Sequence, residues 1–371
     1  MADNIYIKTV AALAVALIIS LLSTPLVKRF AEKIGAMDVP ADSRRMHDHP
    51  IPRMGGLAIF VGFIISVLLF ADVDIQIRGM LIGAVIIIAV GAVDDVMPLP
   101  AVLKLIVQII AALVAVLHGV EIKIISNPVV FSATEFLALD KLSIPITVLW
   151  IVAITNSVNF IDGLDGLAVG VSTIGLVAMF IIAIILGEIN LALIIAALIG
   201  ACVGFMPYNL NPAKIFMGDA GALFLGFVLA NLSVMGLFKM YTIISFAVPF
   251  LVMGLPIFDT VLAVFRRILK KENPMKPDRK HFHHQLIDMG MNQKQAVAFL
   301  YIISAILGIV AVLVTTAGEL KAILFIVAVC IVALIAYFFV HKRAGTKKRD
   351  EKPGSEKPEQ GQDGDEDHKE D

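Results

Sequence analysis

Cysteine is almost missing from this chain: its 371 residues hold two, Cys202 and Cys330, each inside an apolar run. That usage fits neither a disulfide framework nor a cysteine-based zinc site. Net charge is nearly absent too, at −1, although the charges present are strongly clustered. The short alternating strands of a membrane barrel are missing, and no clear small-residue cleavage site follows the first apolar run. What fills the sequence instead is hydrocarbon. Hydrophobic residues make up 59% of it and mean hydropathy is +0.91, whereas a soluble domain carries about 45–50% apolar residues. Runs matching the roughly 20 residues needed to cross a bilayer recur along almost the whole length. Without a barrel pattern, those spans are helices.

The sequence therefore reads as an all-α polytopic integral membrane protein. Eleven transmembrane helices are expected, near residues 5–27, 54–71, 78–94, 99–118, 143–160, 166–186, 189–206, 219–237, 241–262, 294–315 and 319–340. The first is read as a retained helix. Lys28, Arg29, Lys33, Arg44, Arg45 and Arg53 follow span one, a basic cluster from Arg266 to Lys280 follows span nine, and another from Lys342 to Arg349 follows span eleven. All three follow odd-numbered spans, so the positive-inside rule places the N-terminus outside and the C-terminus in the cytoplasm. Residues 341–371, basic and then acidic with Pro, Gly and Gln, read as a disordered charged tail. The outer 119–142 loop alternates like a hairpin and is equally open to a surface helix.

Polar clusters interrupt the spans at one end only. Asp94-Asp95 closes span three, the Asp162/Asp165 segment of Asn159-Phe160-Ile161-Asp162-Gly163-Leu164-Asp165-Gly166 follows span five, Asn209 to Asp219 follows span seven, and His281, His283 and His284 follow span nine. All fall on the expected cytoplasmic face. Acids at a membrane boundary are costly unless they hold a cation or face a polar cavity. Asp162 and Asp165 share a face if their segment is helical. A calcium loop fails there, because its twelfth position is Thr173 instead of glutamate. Asp94 and Asp95 diverge by about 100° on a helix, so one can reach a metal while the other meets a base.

Other residues stay open between two readings. Lys104 in span four either faces the acids or snorkels to the interface. Asp219 fits a helix N-cap as well as a ligand, and Phe216 fits lipid contact as well as stacking on a planar base. The histidines lack the H-E-x-x-H frame of a zinc site; beside Arg279 and Lys280 they suit phosphate, or simply solvent. Asp259 would pair with Arg266 or another base. Acids alone would indicate cation storage or transport, but acids with many bases indicate Mg²⁺ and a phosphorylated substrate.

These four strings, in this order, resemble the polyprenyl-phosphate N-acetylhexosamine-1-phosphate transferase family over nearly all of residues 1–340. The HFHH string and His47-Asp48-His49-Pro50-Ile51-Pro52-Arg53-Met54-Gly55-Gly56 look more like its N-acetylglucosamine branch than its pentapeptide translocase branch. The resemblance implies transfer of GlcNAc-1-phosphate from UDP-GlcNAc to undecaprenyl phosphate, giving undecaprenyl-diphosphate-GlcNAc and UMP. That is the first membrane step of a cell-wall polymer, with wall teichoic acid the nearest match. It also implies Mg²⁺ with Mn²⁺ as a substitute, a catalytic domain over residues 1–340, a homodimer, and no nucleic-acid partner. The location it implies is the bacterial plasma membrane, with the active site facing the cytoplasm.

Residue roles follow from the same resemblance. Asp219 matches the metal ligand, Phe216 the aromatic that stacks on uracil, and Asn209 a nearby site-forming amide. Asp162 and Asp165, with Asn159, match groups that shape the nucleotide-sugar pocket. Asp94 and Asp95 match the paired catalytic acids, Asp94 being the base or phosphate-positioning group. Lys104 and His281 join that catalytic group, while Arg279, His283 and His284 match the phosphate- or sugar-binding loop. Arg53 is a substrate contact in a loop where the translocase branch differs. Lipid phosphate is largely dianionic at neutral pH, so direct attack needs positioning and charge neutralisation more than a strong base. A single displacement is therefore expected ahead of a phospho-aspartate route. The rival is an ion-coupled transporter or lipid flippase, which calls for midplane polar residues and internal repeats; neither is clear in this sequence.

Overall fold

Hydrocarbon offers no partner to a backbone N–H or C=O, so a spanning segment must close its hydrogen bonds within itself. The computed structural model describes residues 2–40, 49–126, 136–236, 247–269, 281–316 and 327, and there the apolar runs are helices. They are α1 (Ala2–Ile34), α2 (Gly56–Phe70), α3 (Ile75–Val96), α4 (Ala101–Leu117), α5 (Ser143–Ile161), α6 (Leu167–Ile185), α7 (Ile189–Asn209) and α8 (Gly218–Gly236). After them come α9 (Ala247–Val252), α10 (Gly254–Leu269), α11 (Phe282–Asp288) and α12 (Gln293–Thr316). Among the described residues seven helices are long and apolar enough to cross a membrane, and α2 and α4 are shorter apolar helices. The chain is thus a mostly helical, multi-pass membrane protein.

Two expectations need correction. Span nine, described from Ala247 onward, is interrupted at Met253 between α9 and α10, and α10 continues to Leu269. Bonds from Met253 N–H to Pro249 O and from Ile257 N–H to Met253 O, 3.1 Å each, nevertheless carry the helical run through that point. Pro249 and Pro256 flank the interruption, and a proline inside a helix removes a backbone donor and crowds the preceding turn. The first helix also continues to Ile34, past its expected end, because its basic last turn still suits a helix C-terminus. Span eleven and the tail at 341–371 lie outside the described residues, apart from helical Val327.

Helix α8 is the centre of the bundle: 94% of its apolar window is buried, against 22% for α1. Glycine lets its neighbours approach. A Cβ on Gly56 of α2 would sit 2.0 Å from the Gly221 Cα of α8, and one on Gly91 of α3 would sit 2.5 Å from the Ala220 Cα. Gly200 and Gly204, one turn apart on α7, meet the Leu13 and Leu17 carbonyls of α1 in the same way. Without a hydrophobic drive between helices in lipid, such close backbone packing supplies the association. The buried Trp150 on α5 adds a 3.0 Å bond to Ser233 on α8.

Two short antiparallel ladders complete the architecture. Strands β1 (Met37–Asp38) and β2 (Ile51–Pro52) pair just after α1, and β3 (Ile124–Ser126) pairs with β4 (Phe136–Ala138) in the hairpin between α4 and α5. The first pair steers Arg53 toward the ends of α3 and α8.

Candidate active site

The C-terminal turn of α3, the first turn of α4 and the N-terminus of α8 converge on three aspartates and two cations. Lys104 Nζ lies 2.8 Å from Asp219 Oδ2 and 3.1 Å from Asp94 Oδ2. Arg53 Nη2 lies 3.3 Å from Asp95 Oδ1 and 3.7 Å from Asp219 Oδ1. Asp94 is held further by the Leu99 N–H at 2.7 Å. Burial works against the Arg53 charge, but Asp95 and Asp219 more than offset it and hold its pKa above the usual value.

The two adjacent acids of α3 part company here. Asp95, with a fully buried side chain, accepts the Asp219 N–H at 2.8 Å and the Ala220 N–H at 3.2 Å. It therefore caps α8 from another helix, where unpaired N–H groups and the helix dipole favour a negative charge. Gly218 makes that approach feasible: its φ is +73°, and a Cβ there would lie 2.3 Å from Asp95 Oδ2. The Asp219 carboxylate, relieved of capping, bonds Lys104 and reaches Asn159 Nδ2 at 3.4 Å.

Asp219 opens onto a cavity of about 370 Å³ whose lining includes Arg53, Asn159, Asp162, Asp165, Asn209, Phe216 and His284. One wall is the α7–α8 loop laid against the β2–α2 turn. Phe216 N–H donates to Pro52 O at 2.8 Å, and Gly55 and Gly56 N–H groups return to Phe216 O and Met217 O at 2.9 Å each. Asn209 serves this loop from inside, donating to Ile215 O at 3.0 Å. Met54 takes a positive φ of 78° between Arg53 and Gly55, a conformation uncommon outside glycine.

The opposite wall comes from the α5–α6 turn. Burial, then the charge of Asp219, pushes the Asp162 carboxyl up to about 7, with Arg53 opposing. Asp165 is a brace: its Oδ2 accepts the Asn211 side-chain N–H at 2.9 Å and the Ala213 N–H at 3.0 Å. Asn211 also donates to Gln293 Oε1 at 2.8 Å.

The histidines divide in a way their sequence spacing does not reveal. Asp259 accepts from His281 Nδ1 at 2.8 Å and from the Phe282 N–H at 2.7 Å, which fixes the start of α11. Its partner is thus a histidine; the Arg266 side chain lies outside the described residues. His283 stacks parallel to His281 at 5.9 Å, and its buried Nε2 has no hydrogen-bond partner. That nitrogen would be 2.2 Å from a Cβ on Gly163. Burial, then repulsion from His284, pushes the His283 pKa down to about 3, so the ring is neutral. Only His284 of the three lines the cavity.

The structure thus unites Arg53, Asp94, Asp95, Lys104, Asn159, Asp162, Asp165, Asn209, Phe216 and Asp219 in one region, with the histidine loop behind it. Asp94, Asp95, Lys104, His281 and His283 back the cavity without lining it. Arg279 lies outside the described residues. Sequence reasoning missed Asp38 and Gln293, which do line it. The Asn292–Gln295 spacing is the sequence signal that could have placed Gln293 at the start of α12.

Among the described residues no three His, Cys, Asp or Glu side chains converge into a metal cage. Mg²⁺ does not require one, since it is commonly held by one or two carboxylates with water and substrate phosphates. The Asp219 Oδ1 atom, whose protein contacts are 3.4 and 3.7 Å, fits that sparse donor set.

Residues 77–237 match the family model described as glycosyl transferase family 4. The chain is 41% identical over 333 residues to a Bacillus subtilis protein named probable undecaprenyl-phosphate N-acetylglucosaminyl 1-phosphate transferase, covering 90% of this chain and 92% of that protein. It is 34% identical to the decaprenyl-phosphate N-acetylglucosaminephosphotransferase of Mycolicibacterium smegmatis, covering 77% of each chain. Similarity to the Escherichia coli undecaprenyl-phosphate alpha-N-acetylglucosaminyl 1-phosphate transferase is 28% over 293 residues, 77% of this chain and 78% of that protein.

Proposed function

This chain belongs to glycosyl transferase family 4, and we propose that it transfers GlcNAc-1-phosphate from UDP-GlcNAc to undecaprenyl phosphate, releasing UMP. The observation that carries this reading is the cavity at the joined helix ends, where Asp219 sits between Lys104 and Arg53. Two phosphorylated substrates bring like charges together, and fixed cations aimed at that point offset the repulsion without reorganising. Mg²⁺, held by Asp219 with Asp162 nearby, would neutralise phosphoryl oxygens when bound.

Lys104 holds Asp219 and Asp94 in fixed positions, and Asp94, behind the cavity, would act on the lipid phosphate through the Lys104 ammonium that it helps to position. Arg53 and His284 supply charge and hydrogen bonds along the cavity wall, and Phe216 offers a face for the uracil ring. The acceptor phosphate is its own nucleophile, so a single displacement needs no protein nucleophile. The site faces the cytoplasm in this reading, where the nucleotide sugar is soluble, while the polyprenyl tail stays in the bilayer. The product would prime a cell-wall polymer such as wall teichoic acid, and a homodimer is the expected assembly.

The test uses purified full-length protein in lipid vesicles with undecaprenyl phosphate, Mg²⁺ and UDP-GlcNAc labelled in its β-phosphate. The label is expected in the lipid fraction. Label that remains wholly water-soluble defeats the proposal.

A further inference from the structure

Gln293 belongs to none of the clusters that the sequence singles out, yet it lines the cavity. Its backbone is fixed by a reciprocal cap at the start of α12: Gln295 N–H donates to Asn292 Oδ1 at 2.9 Å, and Asn292 N–H donates to Gln295 Oε1 at 3.0 Å. Its side-chain orientation is fixed by a chain of donors. Asp165 Oδ2 takes the Ala213 N–H, so it acts as an acceptor and Asn211 must turn its amide nitrogen toward it. The second N–H of that nitrogen faces Gln293, which must therefore present Oε1. Gln293 Nε2 is left with no acceptor among the described residues, at the wall that also carries His284.

A donor held this way matches a carbonyl oxygen. Two parts of a nucleotide sugar carry one, the uracil base and the 2-acetamido group. The base has its own candidate surface in Phe216, which is tied to the β2–α2 side through Pro52. Gln293 and His284 both come from the α11–α12 segment. With the base assigned to Phe216 and the diphosphate to Asp219 and its cations, the acetamido carbonyl is the acceptor left for Gln293. We propose that Gln293 Nε2 donates to the acetamido carbonyl of the donor sugar and sets preference for an N-acetylhexosamine over a plain hexose. This rests on the nucleotide-sugar reading above.

The test compares binding of UDP-GlcNAc and UDP-glucose, which carry the same charge and differ at the 2-substituent, by titration calorimetry on purified full-length protein. Gln293→Glu keeps the acceptor that Asn211 needs and removes the donor; an acid in the first helical turn also suits the helix dipole. Gln293→Ala removes both groups. The wild type is expected to prefer UDP-GlcNAc, and both variants to lose that preference about tenfold, the scale of one hydrogen bond whose partner is left unpaired. An unchanged preference overturns the assignment, as does an equal loss for both ligands, which would make Gln293 a brace or a nucleotide contact. If the wild type binds neither ligand, the transferase reading fails and takes this inference with it.

Discussion

Replacing Asp95 by asparagine is the change that most sharply separates the two adjacent acids of α3. The Asp95 carboxylate accepts two backbone N–H groups of α8 and sits 3.3 Å from Arg53. An amide of the same shape offers one oxygen. If that oxygen keeps the Asp219 N–H, the Ala220 N–H faces an NH₂ group and both donors are orphaned. Loss of a charge-assisted bond costs about 1.5–3 kcal/mol and a buried unsatisfied N–H about 1–3 kcal/mol, so the variant should be less stable by roughly 3–5 kcal/mol. Asp94→Asn keeps an oxygen for the Leu99 N–H, and Lys104, a quarter exposed, keeps Asp219 as a partner; its stability loss should be smaller, about 1–2 kcal/mol. The single tryptophan, Trp150, bonds α8 through Ser233, so its fluorescence during thermal unfolding in detergent reads the α5–α8 contact directly. Asp95→Asn should unfold well below Asp94→Asn, with both losing turnover. Equal midpoints would refute the argument that Asp95 anchors α8.

Three further outcomes follow from the packing. Gly163→Ala would place a methyl 2.2 Å from His283 Nε2, so it should displace the histidine loop and cut turnover at least tenfold; full activity would mean that the loop is free to shift. Burial pushes the His283 pKa down to about 3 in the folded protein, against about 6.5 for a solvated imidazole in the unfolded chain. The unfolded state therefore binds more protons between those values, and stability should fall as pH drops through that window, by about 2 kcal/mol at pH 5. Replacing His283 with phenylalanine should flatten the decline in thermal midpoint between pH 7 and pH 5. Gly56→Val would force α2 from α8, because its Cβ would lie 2.0 Å from Gly221 Cα, and should lower stability by about 1–3 kcal/mol or more; an unchanged unfolding midpoint would contradict the packing.

The spans were legible because hydrocarbon leaves few solutions: nearly every apolar run of bilayer length within the described residues became a helix near its expected place. The interruption of span nine at Met253 was not legible because hydropathy does not register a local irregularity between two prolines. The site was legible as a set of residues, since polar groups at the ends of apolar helices have few other reasons to be there. Their division of labour was not legible. Asp94 and Asp95 are chemically identical neighbours, and only the approach of α8 makes one a cap and leaves the other beside Lys104. The three histidines likewise separate by burial, which their spacing does not encode. Gln293 stayed hidden because its role depends on Asn211 and Asp165, which lie far from it in sequence and meet it through the packing of α12 on α6.

In the proposed reaction a phosphosugar, and not a bare sugar, moves to the lipid. Purified protein supplied with UDP-GlcNAc, undecaprenyl phosphate and Mg²⁺ should release one UMP for each lipid-linked sugar formed, measured by chromatography of the soluble nucleotides. Release of UDP in place of UMP, or no nucleotide release that depends on the lipid phosphate, would contradict it.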